Sequence, residues 1–434
     1  MCAMKHAPLA LALHGGPKTV TATRLVHHRW GAGELARLTA MVDQPSLFYA
    51  KGPQCGALLD EFRRTYPLTW CMPSSSGTAA LHIAVAALQL PPGSEIITSP
   101  VTDMGSVIGI LYQQLVPVFA DIHPHTYNLD PADVRRRITP KTKALMVVHL
   151  AGNPSDMDAL MAIAREHNLF VIEDCAQSWG ACYRGKPVGL FGDLACYSFN
   201  EFKHVSCGDG GITGTNDPRF GPTLSKWGDK HYDRVTNNRN PEALSPNYRM
   251  SEPQAAVAAA QLVKLPAIIA THVRLGTRLL CRLRGLTLPG IVLPAIDPRD
   301  THSFWFCLLR LEAARFRCTR DEFVAALTAE GATAVAGYIP KPVYAYPLFQ
   351  NHNFFGGAWP LRDAGLTTMD YRTVKCPVAE AMLADGISLA ISPALTDEII
   401  DQTAEALAKV ARHFTAELPC VISLETRPGG PQPD

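Results

Sequence analysis

The sequence predicts an α/β protein: a large domain with a mostly parallel mixed sheet flanked by helices, then a smaller α+β domain. Three observations carry this. From about residue 70 to 215, short apolar strands alternate with helices, the pattern of a mostly parallel sheet. Two of those strands, ALMVVHLAG (144–152) and LFVIED (169–174), are near-continuous apolar runs, which suits strands covered on both faces. After NYRMSEPQAAVAAAQLVKL (247–265) the alternation stops and a different mixture of elements begins. A chain of 434 residues is long for a single core, so two lobes are expected. We divide it into an N-terminal segment (1–35), a large domain (36–275), a small domain (276–420) and a disordered tail (421–434).

The elements follow in order. GTAALHIAVAAL (77–88) is a helix with apolar residues on most faces, hence buried. EIITSP (95–100) and VPVFADI (116–122) are strands, with a helix from Gly105 to about Gln114 between them. The helix 155–168 has Ser155 as its N-cap and Asp158 three residues on. LACYSF (194–199) and GGITGT (210–215) are shorter strands. An Ala-rich helix then runs toward Arg284, where Gly285 offers a stop. HSFWFCLLRL (302–311) is a strand, 320–331 a helix, and TDEIIDQTAEALAKVARHF (396–414) a terminal amphipathic helix.

Composition narrows the function. The formal net charge is +1, from 40 basic and 39 acidic side chains, which gives no electrostatic reason to expect nucleic acid or an anionic membrane as partner. The 12 cysteines are scattered, without CxxC pairs or the Cys/His spacing of a zinc site. They read as reduced core residues of a cytoplasmic protein, and no metal is expected. The apolar patch LALAL near the start is too short to span a membrane.

The chemistry gathers at the ends of strands, where ligands of parallel sheets bind. SSSGTAAL (74–81) places hydroxyls and a glycine just before a helix; helix amides and the dipole there suit a phosphate, and an ordinary N-cap run is the plain alternative. VIEDCAQSWG (171–180) ends a buried strand in two acids, Glu173 and Asp174, which must point to opposite sides. A carboxylate there needs a partner, either a structural cation or a protonated ring nitrogen. Ser198 lies at the end of the next strand, and Lys203 follows after a turn, before Gly208, Gly210 and Gly211. A lysine amine beside a phosphate site and a carboxylate is what a pyridoxal phosphate enzyme needs, because the amine condenses with the cofactor aldehyde. The GDGG run is not a dinucleotide fingerprint, since its spacing fails. Lower-ranked candidates for substrate contact are His204, Arg249, Tyr338 and Tyr344; Arg249 can equally serve an interface salt bridge, and Trp179 can line the site or fill the core.

SSGTAAL, the EDCAQSWGA segment, YSF…K…GDGG and NYRMSEPQAAVAAAQL, in that order, resemble the motifs of the DegT/StrS-type pyridoxal-phosphate sugar aminotransferases, a fold-type-I family. The resemblance runs over roughly residues 30 to 415. It implies that Lys203 carries the Schiff base, that Asp174 pairs with the ring nitrogen and that Gln177 contacts the ring hydroxyl. Gly77, Thr78 and Ser198 are then phosphate contacts, and Ser76 is a cofactor-binding residue beside them. Asn247 reaches the phosphate of the neighbouring subunit, which implies a homodimer with shared active sites. The implied reaction moves an amino group from glutamate, glutamine or alanine to a keto sugar or keto-cyclitol, with pyridoxamine phosphate formed during turnover. Products of this kind enter antibiotics or surface polysaccharides. One departure concerns PVTDMGSV (100–107): Asp103, a candidate cofactor contact, stands where the family has an aromatic residue over the ring, so either Asp103 lies by the ring or the substrate, or another residue covers that face. A dehydratase or aromatising synthase on the same cofactor is the nearer alternative; family dehydratases tend to have His at the lysine position, which Lys203 opposes. A non-catalytic protein on the same scaffold is the farther one, opposed by Lys203, Asp174 and Gln177 together.

Overall fold

The computed structural model describes residues 10–415; the tail expected at 421–434 lies outside them. Helices α1 (Ala32–Val42) and α2 (Pro53–Thr65) precede the first strand, β1 (Trp70–Ser74). Then come α3 (Gly77–Ala87), β2 (Glu95–Thr98), α4 (Gly105–Tyr112), β3 (Val116–Phe119), α5 (Pro131–Arg137), β4 (Thr142–Val148), α6 (Met157–His167), β5 (Phe170–Asp174), β6 (Leu194–Ser198) and β7 (Gly211–Thr215). The seven strands form one sheet in the order β1-β7-β6-β5-β4-β2-β3. Its pairs are parallel from β3 through β6, and only β7, between β1 and β6, runs antiparallel. This mixed, mostly parallel sheet flanked by helices is the fold class that the alternation predicts.

The sheet is covered on both faces, so β2, β3 and β6 are buried at every position. Val134, Leu160 and Ile163 seal one face, while nearly all of α3 packs on the other. That explains why α3 is apolar all round.

After β7 the chain enters α7 (Glu252–Leu286), a helix of 35 residues, about 50 Å long. Residues Ala255 to Leu265 pack in the core beneath the large sheet, whereas Leu275, Leu279 and Leu283 pack in a second core. The division at 275/276 therefore falls inside this helix. Among the described helices, α7 is the one long and apolar enough to cross a membrane, but half of its most apolar window is buried against protein. The second core is built by β8 (Ile291–Val292), β9 (Phe306–Leu311), α8 (Arg320–Ala329), β10 (Ala334–Ala336), β11 (Gly386–Ala390) and α9 (Asp397–Phe414), the strands forming an antiparallel sheet. Leu11, from the N-terminal apolar patch, is fully buried in this core.

Boundaries differ from expectation for local reasons. Asp156, not Ser155, caps α6 by accepting from Ala159 N, because the Ser155 hydroxyl donates to Val148 O. Gly285 lies inside α7, and Thr287 in the left-handed conformation ends it. The strand expected from 302 begins at Phe306: Phe304 has a φ of +48°, which a strand does not admit.

Candidate active site

Four strand ends, those of β1, β2, β5 and β6, point their side chains or following loops into one cleft of about 320 Å³, lined by Ser76, Gly77, Thr78, Thr102, Asp103, Ser106, Asp174, Gln177, Ser198, Asn200, Lys203 and Asp209 among others. Eight of the thirteen candidates are there together.

Ser76 caps α3, its hydroxyl accepting from Ala79 N at 3.0 Å. The amides of the first turn face the cleft with the positive end of the helix dipole. Ser198 closes the other wall so tightly that a Cβ on Gly77 would sit 2.6 Å from its Cβ. On β7, a Cβ at Gly211 would meet Ser76 O at 2.3 Å. Glycine at these two positions lets strand and helix N-terminus come together.

The two acids of β5 part as alternation requires. Glu173 points away from the cleft. It accepts from the amides of Gly189, Phe191 and Gly192 and faces His149 at 3.2 Å. Burial pushes its carboxyl up, but His149 and those amides more than offset this, and it ends below its ordinary value. Glu173 is structural. With His149 and Cys175 it groups three possible metal ligands, yet the glutamate oxygens are already committed to amides.

Asp174 points into the cleft and is 4% exposed. Its Oδ2 accepts from Ser106 Oγ at 2.6 Å and its Oδ1 from Ala176 N at 3.0 Å. Ser106 is held in turn by Thr102, hydroxyl to hydroxyl at 2.7 Å. Burial raises the Asp174 carboxyl; Ser106, Ala176 N and Lys203 oppose the rise. A carboxylate has about four lone-pair positions, so capacity remains for a cationic ring N–H.

Lys203 shares the cleft. Burial lowers its amine to about 8, against the pull of Asp174 and Asp103. Its loop is fixed from behind by the Arg29 guanidinium, which donates to the carbonyl oxygens of Glu201, Lys203 and His204. Gln177 is oriented at both ends: its Oε1 accepts from Ala151 N, and its Nε2 donates to Tyr338 Oη at 2.9 Å. Asp103, exposed at the rim, accepts from Gly105 N and so starts α4.

Helix amides with hydroxyls, a buried carboxylate and an amine are the three donors and acceptors that pyridoxal phosphate demands of a protein, and their placement around one cleft fits it.

Other candidates lie elsewhere. His204 turns away into a second cavity, its Nε2 on Ser303 O and its ring 4.9 Å from His272. Tyr344 is buried, its hydroxyl donating to Glu380 and accepting from Cys376 N, which is packing. Tyr338 is next to the cleft through Gln177. Trp179 is fully buried and donates to Ser198 O, so it fills the core and steadies the end of β6. Arg249 pairs with Asp229 at 3.4 Å and donates to Asn247 Oδ1 at 2.7 Å. Arg249 lines a separate basic cleft with Lys51, Lys230, Arg234 and Arg239.

The matching family is described as the DegT/DnrJ/EryC1/StrS aminotransferase family, and its match covers residues 31–408. The chain belongs to this family. As a DegT/DnrJ/EryC1/StrS protein it has relatives of known name. GDP-perosamine synthase of Caulobacter vibrioides is 34% identical over 340 residues, covering 77% of this chain and 84% of its own. Spore coat polysaccharide biosynthesis protein SpsC of Bacillus subtilis is 28% identical over 391 residues, covering 88% and 95%. The crystal structure of S. venezuelae DesV, in complex with a ketimine intermediate, superposes with a TM-score of 0.75 at 30% identity, covering 87% of this chain and 94% of that one.

Reading the sequence alone missed Thr102, Ser106, Asn200 and Asp209. For Ser106 a signal existed: it lies four residues after Thr102, in the first turn of a helix that follows a strand end.

Proposed function

We propose that this family member is a pyridoxal-phosphate-dependent aminotransferase that moves an amino group from an amino acid to a keto sugar or keto-cyclitol. The observation that carries the reading is Lys203, an amine lowered to about 8 and set in one cleft with buried Asp174 and the α3 N-terminus. When bound, the cofactor supplies an aldehyde that condenses with amines and a ring that takes up the electron pair left by proton removal. Gly77, Thr78 and the Ser76 and Ser198 hydroxyls hold the phosphate. Asp174, kept in place by Ser106, holds the ring nitrogen in its protonated form. Gln177, tied to Ala151 N and Tyr338, orients the ring edge. Lys203 would then be the base that takes up and returns a substrate proton at its Nζ, since part of it is neutral near pH 7.

The names of two relatives, a GDP-perosamine synthase and a polysaccharide biosynthesis protein, support a sugar-derived acceptor. The donor is an amino acid of the glutamate, glutamine or alanine kind. We further propose a homodimer in which Asn247 and Arg249 complete the neighbour's site. What supports this is that neither lines the cleft of its own chain, and that Val235 and Leu244 nearby are each 95% exposed. The ten described cysteines form no disulfide, which fits the reducing cytoplasm.

The test is an absorbance spectrum before and after adding amino donors. A visible band that borohydride removes, and that glutamate, glutamine or alanine bleaches, is the expected result. A band that no donor changes favours a synthase or dehydratase. No band with added cofactor contradicts the reading.

A further inference from the structure

Lys203 separates two cavities. The cleft described above lies on one side; on the other is a cavity of about 460 Å³ that shares Phe202 and Lys203 with it and has Trp305 in its wall. Trp305 stands against the lysine from that second cavity. The Lys203 Nζ lies 3.8 Å from the centre of the indole ring, well inside the range of a cation–π contact. The same ring is tied to the lysine's own loop, because Trp305 Nε1 donates to Phe202 O at 2.6 Å. Its other side is fixed too: the ring meets Tyr338 edge-on at 5.9 Å, and Tyr338 is bonded to Gln177. One side chain, arriving from the start of β9, therefore touches the reactive amine, its loop and the residue that orients Gln177.

We propose that Trp305 is a positioning residue that holds the Lys203 ammonium whenever the lysine carries no covalent bond, and keeps it at the edge of the cleft for its return. This rests on the assignment of Lys203 under the proposed function. A lysine released in every half-reaction needs a resting place. Pairing directly with Asp174 would occupy the carboxylate that the ring nitrogen needs. An aromatic face binds the cation weakly and takes up no carboxylate. The charged surroundings are mixed: Asp174, Asp103 and Asp209 face the amine from the cleft. From the far cavity come Arg29, Lys264, His27, His28, His204 and His272. The ring is the group in direct contact that favours the cation without charge of its own.

The experiment reads the amine itself in cofactor-free, full-length protein. An acylating reagent is applied over a pH series, and acylation of the Lys203 peptide is followed by mass spectrometry. Wild type should show a midpoint near about 8. Trp305→Leu removes the ring face and should lower the midpoint by about half to one pH unit. Trp305→Phe keeps a weaker face and should fall between. A structural role alone would leave the midpoint in place, so unchanged midpoints in folded variants overturn the proposal. Where Trp305→Leu does not fold, Trp305→Phe decides: a lowered midpoint supports the proposal and an unchanged one overturns it. The underlying assignment fails separately, if borohydride fixes no added pyridoxal phosphate on wild-type Lys203.

Discussion

Asp174 and Ser106 form the smallest unit on which the chemistry depends. A buried carboxyl raised by its surroundings stays ionised only while donors and cations favour that form. Ser106 supplies one such donor at 2.6 Å. Asp174→Asn should therefore lower turnover by several orders of magnitude, because an amide cannot hold the ring nitrogen protonated. Ser106→Ala should have a graded effect, weakening cofactor binding about tenfold or more, the range for a hydrogen bond to a charged group. Steady-state kinetics and a cofactor titration of both variants check this; equal behaviour of Asp174→Asn and wild type would mean that another acid serves the ring. Lys203 adds a pH dependence. Its neutral fraction grows as pH rises through about 8, so turnover at saturating substrate should climb across that range, and a flat profile there would show that lysine ionisation does not limit the rate.

At the scale of elements, the site depends on β7 passing close beneath the α3 N-terminus. Gly211 is where no side chain fits, since a Cβ would meet backbone atoms of Ser76 and Gly77. Gly211→Ala should lower stability by about 1–3 kcal/mol and weaken the cofactor's phosphate hold, as read by thermal melts and cofactor titration; unaltered values for both would show that the backbone yields freely. Much of this arrangement was legible in the sequence. Buried parallel strands announce themselves as apolar runs, and two of them end at a residue with chemistry to offer, Asp174 on one and Ser198 on another, while Ser76 follows β1. The alternation rule separated Glu173 from Asp174 without saying which faced the cleft. What could not be read depends on contacts distant in sequence. His204 adjoins Lys203 yet faces another cavity. Tyr344 is tied to Glu380. Trp305 looked like part of a strand, but the left-handed backbone at Phe304 delays that strand and frees the indole to meet Lys203.

For the whole molecule, the distribution of candidates between two clefts bears on assembly. Arg249 lines a basic cleft with Lys51, Lys230 and Arg239, Asn247 is bonded to Arg249, and neither lines the cleft that holds Lys203. If they serve the neighbour, two defective chains should complement each other. Mixing Lys203→Ala with Asn247→Ala protein, under conditions that exchange subunits, should restore roughly a quarter of the sites in a two-fold dimer. Activity no higher than that of the parent variants would place both residues in one chain's site or remove Asn247 from it. The ladder of Arg274, Arg278 and Arg282 against Asp397, Asp401 and Glu405 joins α7 to α9. It links the long helix beneath the site to the outer helix of the small lobe.

The most direct test of the account is to incubate the protein with pyridoxal phosphate, reduce it with borohydride and locate the label by peptide mass mapping. The account predicts one labelled residue, Lys203, with labelling lost in Lys203→Ala protein that remains folded. A label on another lysine, or none at all, would contradict it.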